Sequence, residues 1–276
     1  MKKTVALFTV MVMCGMAVLT CRAQESRAPL MMATTTSTDN TGLLDYLAPL
    51  FKKDTGIELR WTAVGTGKAL LLGQNCDVDV LLVHAPAAEK EFIAAGYGIS
   101  RTEVMYNDFI LIGPDADPAG VKGKGVAEAL AAIMDRQTVF ASRGDDSGTH
   151  KMELSQWKRA GLAMPEGEGW YLEVGQGMLT TINVAAERGG YTLTDRGTYI
   201  KYSADHKENP PLKIMVEGDV GLKNPYSVVL LNPERCPKIN ISGAAAFARW
   251  LADKKGQGYV KGFKLMGRPL FFPNAK

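Results

Sequence analysis

Asp108-Phe109-Ile110-Leu111-Ile112, stopped by Gly113-Pro114, and Ser227-Val228-Val229-Leu230-Leu231, stopped by Asn232-Pro233, are two copies of one pattern. Each is a short apolar run, rich in branched residues, which reads as a buried strand. A turn containing proline ends each one, because proline cannot donate to a ladder. Two such strands far apart in the chain are candidates for two crossings between lobes. They would place residues 24–112 and 229–276 in a first lobe and 113–228 in a second. A cleft between two hinged lobes is where a small ligand sits.

Outward from these runs, strands and helices alternate, which predicts an α/β fold. Residues 30–33 read as a strand leading into Thr34-Thr35-Thr36-Ser37-Thr38. Leu43, Leu47, Leu50 and Phe51 share one face of a helix that Pro49 should kink and Gly56 should close. Residues 57–64 alternate as a strand does, and Gly65-Thr66-Gly67 turns into a helix. Val78–Val83 is a further strand, 86–95 a helix, and 103–112 the strand of the first crossing. After a Gly-, Pro- and Asp-rich connection at 114–125 come a helix near 125–135, the strand Thr138–Ala141 and a polar loop at 142–147. Helices are expected at 148–160, 177–188, 194–202, 241–254 and 256–263, and strands near 212–217 and 226–231.

The first residues read as an export signal. Lys2 and Lys3 precede an apolar stretch from 4 to 20, and Cys21-Arg22-Ala23 offers a cleavage point before Gln24. The stretch is short for a membrane span. Lipid attachment at Cys21 is the alternative, and Thr20 before it argues against that. Residues 1–23 hold three cations and no acid, so their removal takes the formal charge from +3 to near zero. The basic balance belongs to the leader and gives no footprint for nucleic acid. Cleavage also leaves two of the four cysteines, Cys76 and Cys236. In an oxidising compartment these either form a bridge or stay as separate buried thiols, and the sequence leaves both open. His84, His150 and His206 are scattered and there is no C-x-x-C, so no cation site is expected.

Three segments share one design: small polar residues or glycines running into a helix. They are Thr34–Thr38, Gly65-Thr66-Gly67 and Arg143-Gly144-Asp145-Asp146-Ser147-Gly148-Thr149, with Gly175-Gln176-Gly177 as a candidate fourth. A helix start exposes unpaired N–H groups and the positive end of the dipole. Several meeting in one cleft would hold an anion with few full charges. Hydroxyls add donors that rotate to fit. Each residue taken singly also fits a helix cap, but four consecutive hydroxyls exceed what a cap needs. Arg143 beside a helix start can form charge-assisted bonds to an oxyanion, with Asp145 fixing its rotamer. The competing reading of Arg143 is a surface ion pair with Asp145 or Asp146.

These residues carry a resemblance. Thr34–Thr38 followed by Gly42-Leu43-Leu44 resembles the start of the tungstate-binding proteins of ABC importers. So do residues 63–69, Asp79-Val80-Leu81-Leu82-Val83-His84, residues 142–150 and Tyr191-Thr192-Leu193-Thr194-Asp195-Arg196. The likeness covers nearly the whole chain after residue 23. It implies a type II periplasmic-binding fold with two α/β lobes joined by two crossing strands. It implies ligand contacts from Thr35, Thr36, Ser37, Thr66, Arg143, Ser147, Gly148 and Thr149. The implied ligand is tungstate or molybdate, with no cofactor, and the implied partners are the permease subunits of an ABC transporter. A periplasmic monomer is expected. Cys76 and Cys236 are no part of the family pattern.

Phosphate-binding proteins of the same fold share the Arg…Ser-Gly-Thr spacing. Near neutral pH phosphate still carries a proton and benefits from a carboxylate acceptor, whereas tungstate and molybdate are fully deprotonated and suit a donor-only site. A carboxylate facing them would repel them, so Asp145 is read as braced against Arg143. Phosphate or sulfate binding is the alternative within the class. The alternative from another class is a periplasmic hydrolase with Ser147 as nucleophile and His84 or His150 as base. It has no Gly-x-Ser-x-Gly elbow to support it, and the expectation is a protein that is not an enzyme.

Overall fold

The structure is a computed structural model, and it describes residues 28–275. The segment read as an export signal lies outside the described residues. The first half of the chain runs β1 (Leu30–Thr35), α1 (Thr36–Asp39), α2 (Leu43–Thr55), β2 (Leu59–Val64), α3 (Thr66–Gln74), β3 (Val80–Val83), α4 (Pro86–Ala94) and β4 (Gly98–Pro114). Then come α5 (Val126–Arg136), β5 (Phe140–Ser142), α6 (Gly148–Arg159), β6 (Tyr171–Glu173), α7 (Met178–Glu187), β7 (Thr192–Asp195), α8 (Arg196–Asp205) and β8 (Leu212–Val216). The chain closes with β9 (Lys223–Leu231), α9 (Ile241–Ala252), α10 (Lys254–Gly262) and the short strands β10 (Lys264–Leu265), β11 (Arg268–Pro269) and β12 (Phe272–Pro273).

The alternation expected from sequence is present, with three differences that have local causes. The helix expected at 194–202 begins at Arg196, because Asp195 ends β7 and caps the helix by accepting from the Thr198 N–H at 2.8 Å. β6 and β7 are only three and four residues long, too short to show a period of two. α2 runs unbroken through Pro49, whose exposed side leaves the deprived carbonyl open to water.

β4 organises the molecule. Over Gly98–Asp108 it pairs antiparallel with β9, and from Phe109 onward it pairs antiparallel with β7 and, from Leu111, with β8. One strand thus belongs to two sheets and changes partners between Asp108 and Phe109. On the first side the order is β12-β4-β9-β3-β1-β2, with β1, β2 and β3 parallel. On the second side β4 lies between β7 and β8, and a bridge from Phe140 to Tyr191 connects the parallel β5–β6 pair to β7.

Each sheet is covered on both faces. Leu43, Leu47 and Phe51 of α2 pack with Phe247 and Leu251 of α9 against Met32 and Leu82, while Ala69 and Phe92 cover the other face with Leu81 and Val229. In the second lobe Leu130, Ile133 and Trp157 pack on Leu111 and Leu193, and Ile182 and Tyr202 on Ile110 and Ile112. Alternation along β4 sends Ile110 and Ile112 to one face and Phe109 and Leu111 to the other. No described helix is long and apolar enough to cross a membrane.

Cys76, after α3, is bonded to Cys236, after β9. The two are 160 residues apart in sequence, so the bond closes a long loop in the unfolded chain and stabilises the fold by on the order of a few kcal/mol. Thiol titration of the unfolded, unreduced 24–276 chain should find no reactive thiol, and reduction should lower its melting temperature. Two free thiols would show that the bond does not form.

Candidate functional site

β2, β1 and β3 are neighbours and parallel, so their C-terminal ends lie side by side. Thr35 is level with Val64, and Thr34 with Leu82. The next residues along each strand are therefore Thr36, Gly65-Thr66 and His84 at one sheet edge, the usual place for a ligand in an α/β sheet. Thr35 is buried, whereas Thr36 and Ser37 are exposed there. The Thr35 hydroxyl is 2.7 Å from Thr38 Oγ1, 3.1 Å from Ser37 Oγ and 2.9 Å from His84 Nε2. Gly65 opens α3 without a side-chain cap, so the first-turn N–H groups are not consumed locally.

The second lobe repeats the arrangement. β5 and β6 are parallel, with Ser142 level with Glu173, and β7 joins alongside. Past their ends lie the loop 143–147, the loop 174–177 and Asp195. Gly177 opens α7, again without a side-chain cap. Ser147 caps α6, accepting from the His150 N–H at 3.3 Å, and Gly148 and Thr149 occupy its first two positions. Gly144 sits at φ +57°, and a Cβ there would lie 3.0 Å from Glu173 Cβ, so the loop's close approach to β6 requires glycine. A Cβ on Gly148 would lie 3.7 Å from His84 Cε1. The start of α6 therefore meets His84 across the cleft.

Arg143 donates through Nη2 to Asp145 Oδ2, and Asp145 Oδ1 accepts from the Ser147 N–H at 3.2 Å. Burial pushes the Asp145 carboxyl up, but the bonds from Ser147 and Arg143 outweigh it and hold it below the usual carboxylate range. The Arg143 side chain is only 14% exposed, and its Nε is buried with no hydrogen-bond partner among the described residues. Arg143 therefore retains an unused donor in a desolvated setting, which a surface ion pair would not have. Behind the loop, Glu153 is buried and accepts from Ser142 Oγ at 2.7 Å, Tyr171 OH at 2.6 Å and Trp157 Nε1 at 3.2 Å. These bonds tie β5, β6 and α6 together and so set where Arg143 starts.

The first lobe has its own polar support. His84 Nδ1 lies 3.0 Å from Asn224 Oδ1, and Asn224 Nδ2 donates to Asn107 Oδ1 at 2.7 Å. The Tyr226 ring stacks on His84 with centroids 4.6 Å apart. Burial pushes the imidazole pKa below its ordinary value, opposed by the Asn224 bond and the Asp195 carboxylate. Asn107, Asn224 and Tyr226 were not singled out in sequence. They lie in the mixed polar and apolar halves of β4 and β9, before the apolar runs, where nothing in the sequence marks them.

Two cradles of hydroxyls and helix starts thus face each other across a cleft spanned by a shared strand. A PBP superfamily domain matches residues 22–255. The chain belongs to the PBP superfamily. It is 50% identical over 240 residues to the tungstate-binding protein TupA of Campylobacter jejuni, covering 87% of this chain and 89% of that one. It is 44% identical over 290 residues to the TupA of Peptoclostridium acidaminophilum, covering 100% and 99%. Among solved structures, the tungstate-binding protein TupA from Desulfovibrio alaskensis is 65% identical with a TM-score of 0.88, covering 90% of this chain and 100% of that one. The tungstate ABC transporter structure from Geobacter sulfurreducens is 42% identical with a TM-score of 0.74, covering 86% and 99%. The two-lobed α/β architecture expected from sequence is that of these PBP superfamily relatives.

Within this superfamily frame, the structure brings Thr35 and Ser37 to His84, and His84 to Gly148. Thr36 and Thr66 stand at the same edge, and Arg143, Ser147 and Thr149 are carried with Gly148. Among the described residues no three His, Cys, Asp or Glu side chains gather to hold a cation. Ser147 Oγ bonds to the backbone of its own helix and not to a histidine ring, which is the geometry of a cap. His150 Nδ1 accepts from the Asp146 N–H at 3.1 Å.

Glu153 supplies a check on the scaffold. Burial raises its carboxyl above the usual range despite the three donors. A raised folded pKa means that the folded state binds the proton more tightly, so stability falls as pH climbs through that pKa. Glu153→Gln keeps the shape and one acceptor oxygen, for Tyr171 and Trp157, while its amide can donate to Ser142 Oγ, and it carries no charge. Its thermal stability relative to the parent should be highest near pH 8 and fall towards pH 4, where the parent's carboxyl is largely protonated in both states. A difference independent of pH would contradict the assignment.

Proposed function

We propose that this chain is an extracytoplasmic solute-binding protein that captures tungstate, and molybdate as a second ligand, between its lobes and delivers it to the permease subunits of an ABC transporter. The observation that carries this reading is that hydroxyls and helix starts of both lobes meet across one cleft at His84 and Gly148. The TupA relatives from Campylobacter jejuni and Peptoclostridium acidaminophilum support the choice of anion. The reading includes a leader at residues 1–23, a periplasmic location, action as a monomer, and binding without catalysis or a cofactor. The reading divides the lobes at 112 and 229, with residues 24–112 and 229–276 in the first and 113–228 in the second, and the exchange of partners on β4 falls close to the first of these points.

The donors favour a fully deprotonated oxyanion. Thr36, Ser37 and Thr66 hold it from the first lobe, and Ser147, Gly148 and Thr149 from the second. Thr35 lies behind them, its hydroxyl turned to Thr38 and His84. Asp145 is engaged on both oxygens, by Arg143 and by the Ser147 N–H. It is not offered as the acceptor that a protonated phosphate needs. Arg143 is the full positive charge, and because it rides on the second lobe its contact forms as the cleft closes.

Calorimetric titration of the 24–276 chain tests the ligand. Tungstate and molybdate should bind far more tightly than sulfate or phosphate, and phosphate binding as tight as tungstate's would overturn the reading. Arg143→Ala should weaken tungstate binding by about 2–5 kcal/mol, the cost of removing one partner of a desolvated charge pair, or roughly thirtyfold to several thousandfold. Arg143→Lys should recover part of this, since it restores the charge without the planar fork. A loss within about threefold would place Arg143 outside the site.

A further inference from the structure

The two ring nitrogens of His84 are assigned by what surrounds them. Asn224 donates from Nδ2 to Asn107 Oδ1 at 2.7 Å, so its Oδ1 is the atom facing His84 Nδ1 at 3.0 Å. With the amides in this orientation Nδ1 carries the hydrogen, and in the neutral ring Nε2 is a bare acceptor. Nε2 lies 2.9 Å from Thr35 Oγ1 and 3.3 Å from Ser37 Oγ. A hydroxyl has a single hydrogen. The neutral ring therefore draws one hydroxyl hydrogen of the cluster towards itself and away from the cleft. A protonated ring reverses this: Nε2–H donates to the same oxygen, and that hydroxyl's hydrogen is free to turn outward.

We propose that His84 is a positioning residue that takes a proton from solvent when the anion enters, so that the Thr35–Ser37–Thr38 cluster turns a donor towards the ligand. The proposal rests on the oxyanion reading above. A neutral His84 suits the cleft without its anion, and a charged one suits the filled cleft, where a dianion stands beyond the hydroxyls. The groups facing the ring are consistent with such a balance. Tyr226 of β9 stacks on it, Asn224 and Asn107 are neutral, and the Asp195 carboxylate at the end of β7 favours the charged form. Opposing it are burial, which holds the pKa below its ordinary value, and the positive end of α6 at Gly148. The loop before α6 carries Arg143, already paired with Asp145, and the first turn of α6 carries His150.

Linkage then fixes the sign. If binding takes up a proton, affinity falls as pH rises, by at most about tenfold per pH unit for one group. The test is calorimetric titration of tungstate into the 24–276 chain, in pairs of buffers that differ in ionisation heat, between about pH 5.5 and 8. Uptake should rise towards one proton per anion at the lower end and vanish at the upper. His84→Gln should bind with no uptake and a flat pH profile, while His150→Gln should keep the uptake. If His84→Gln fails to fold, ring proton NMR of the parent protein decides, because the His84 pKa should rise on adding tungstate. Binding without proton uptake, or uptake that persists in His84→Gln, overturns the proposal and leaves the tungstate reading standing. Absence of tungstate binding at every pH overturns both.

Discussion

The structure depends on β4 serving two sheets. Its seventeen residues pair with β9 up to Asp108 and with β7 from Phe109, so the backbone ladder that builds one lobe continues into the other. The lobes therefore share a spine and meet at a fixed place. At that point Arg196 donates through Nε and Nη2 to both oxygens of Asp108 at 2.6 Å, and through Nη2 to Glu217 at 2.9 Å. A two-pronged ion pair of this kind adds geometric definition as well as energy. It pins the first residue of α8 to the strand where partners change. Because β1, β2 and β3 run parallel on one side, and β5, β6 and β7 on the other, the loops after them open towards the same gap. The place of the candidate site follows from strand direction before any particular side chain is considered.

The second feature is economy of charge. A desolvated dianion is best held by oriented dipoles with little excess positive charge, since each buried ion carries its own desolvation cost. Outside the cleft, Arg101 pairs with Glu89 and Glu103, and Arg196 with Asp108 and Glu217. Glu89 also accepts from the Ala85 N–H, next to His84, and so braces the loop that carries the ring. Arg143 retains a buried Nε without a partner among the described residues, as Arg101 does at Nη2, but it does so beside the start of α6, with Asp145 holding its Nη2. It is oriented and only partly neutralised, the state in which an anion gains most from it. The remaining donors are neutral hydroxyls and N–H groups.

Much of this was legible in the sequence, for physical reasons. Apolar runs that end in proline-containing turns announced the two long strands, and runs of hydroxyls and glycines before helices announced the loops. What escaped was what depends on pairing. The point where β4 changes partners has no local signature, because Asp108 and Phe109 are equally compatible with either sheet. β6 and β7 are too short for a hydrophobic period, and Thr194-Asp195 were absorbed into the helix they precede. His84 was visible as a candidate base and as the end of the Asp79–His84 stretch, with no partner assigned. Its relation to Asn107, Asn224 and Tyr226 exists because β3, β4 and β9 lie side by side, which three distant stretches of sequence do not disclose. Cys76 and Cys236 could be counted but not joined until α3 and the end of β9 were placed together.

The central claim is that the anion sits where the strand ends of both lobes converge. The most direct measurement is the anomalous scattering of tungsten in crystals of the 24–276 chain grown with tungstate. The account predicts one dominant peak in the cleft, within reach of the Ser37 and Thr66 hydroxyls, the Arg143 guanidinium and the start of α6. A dominant peak elsewhere on the molecule, or none in the cleft, would contradict it.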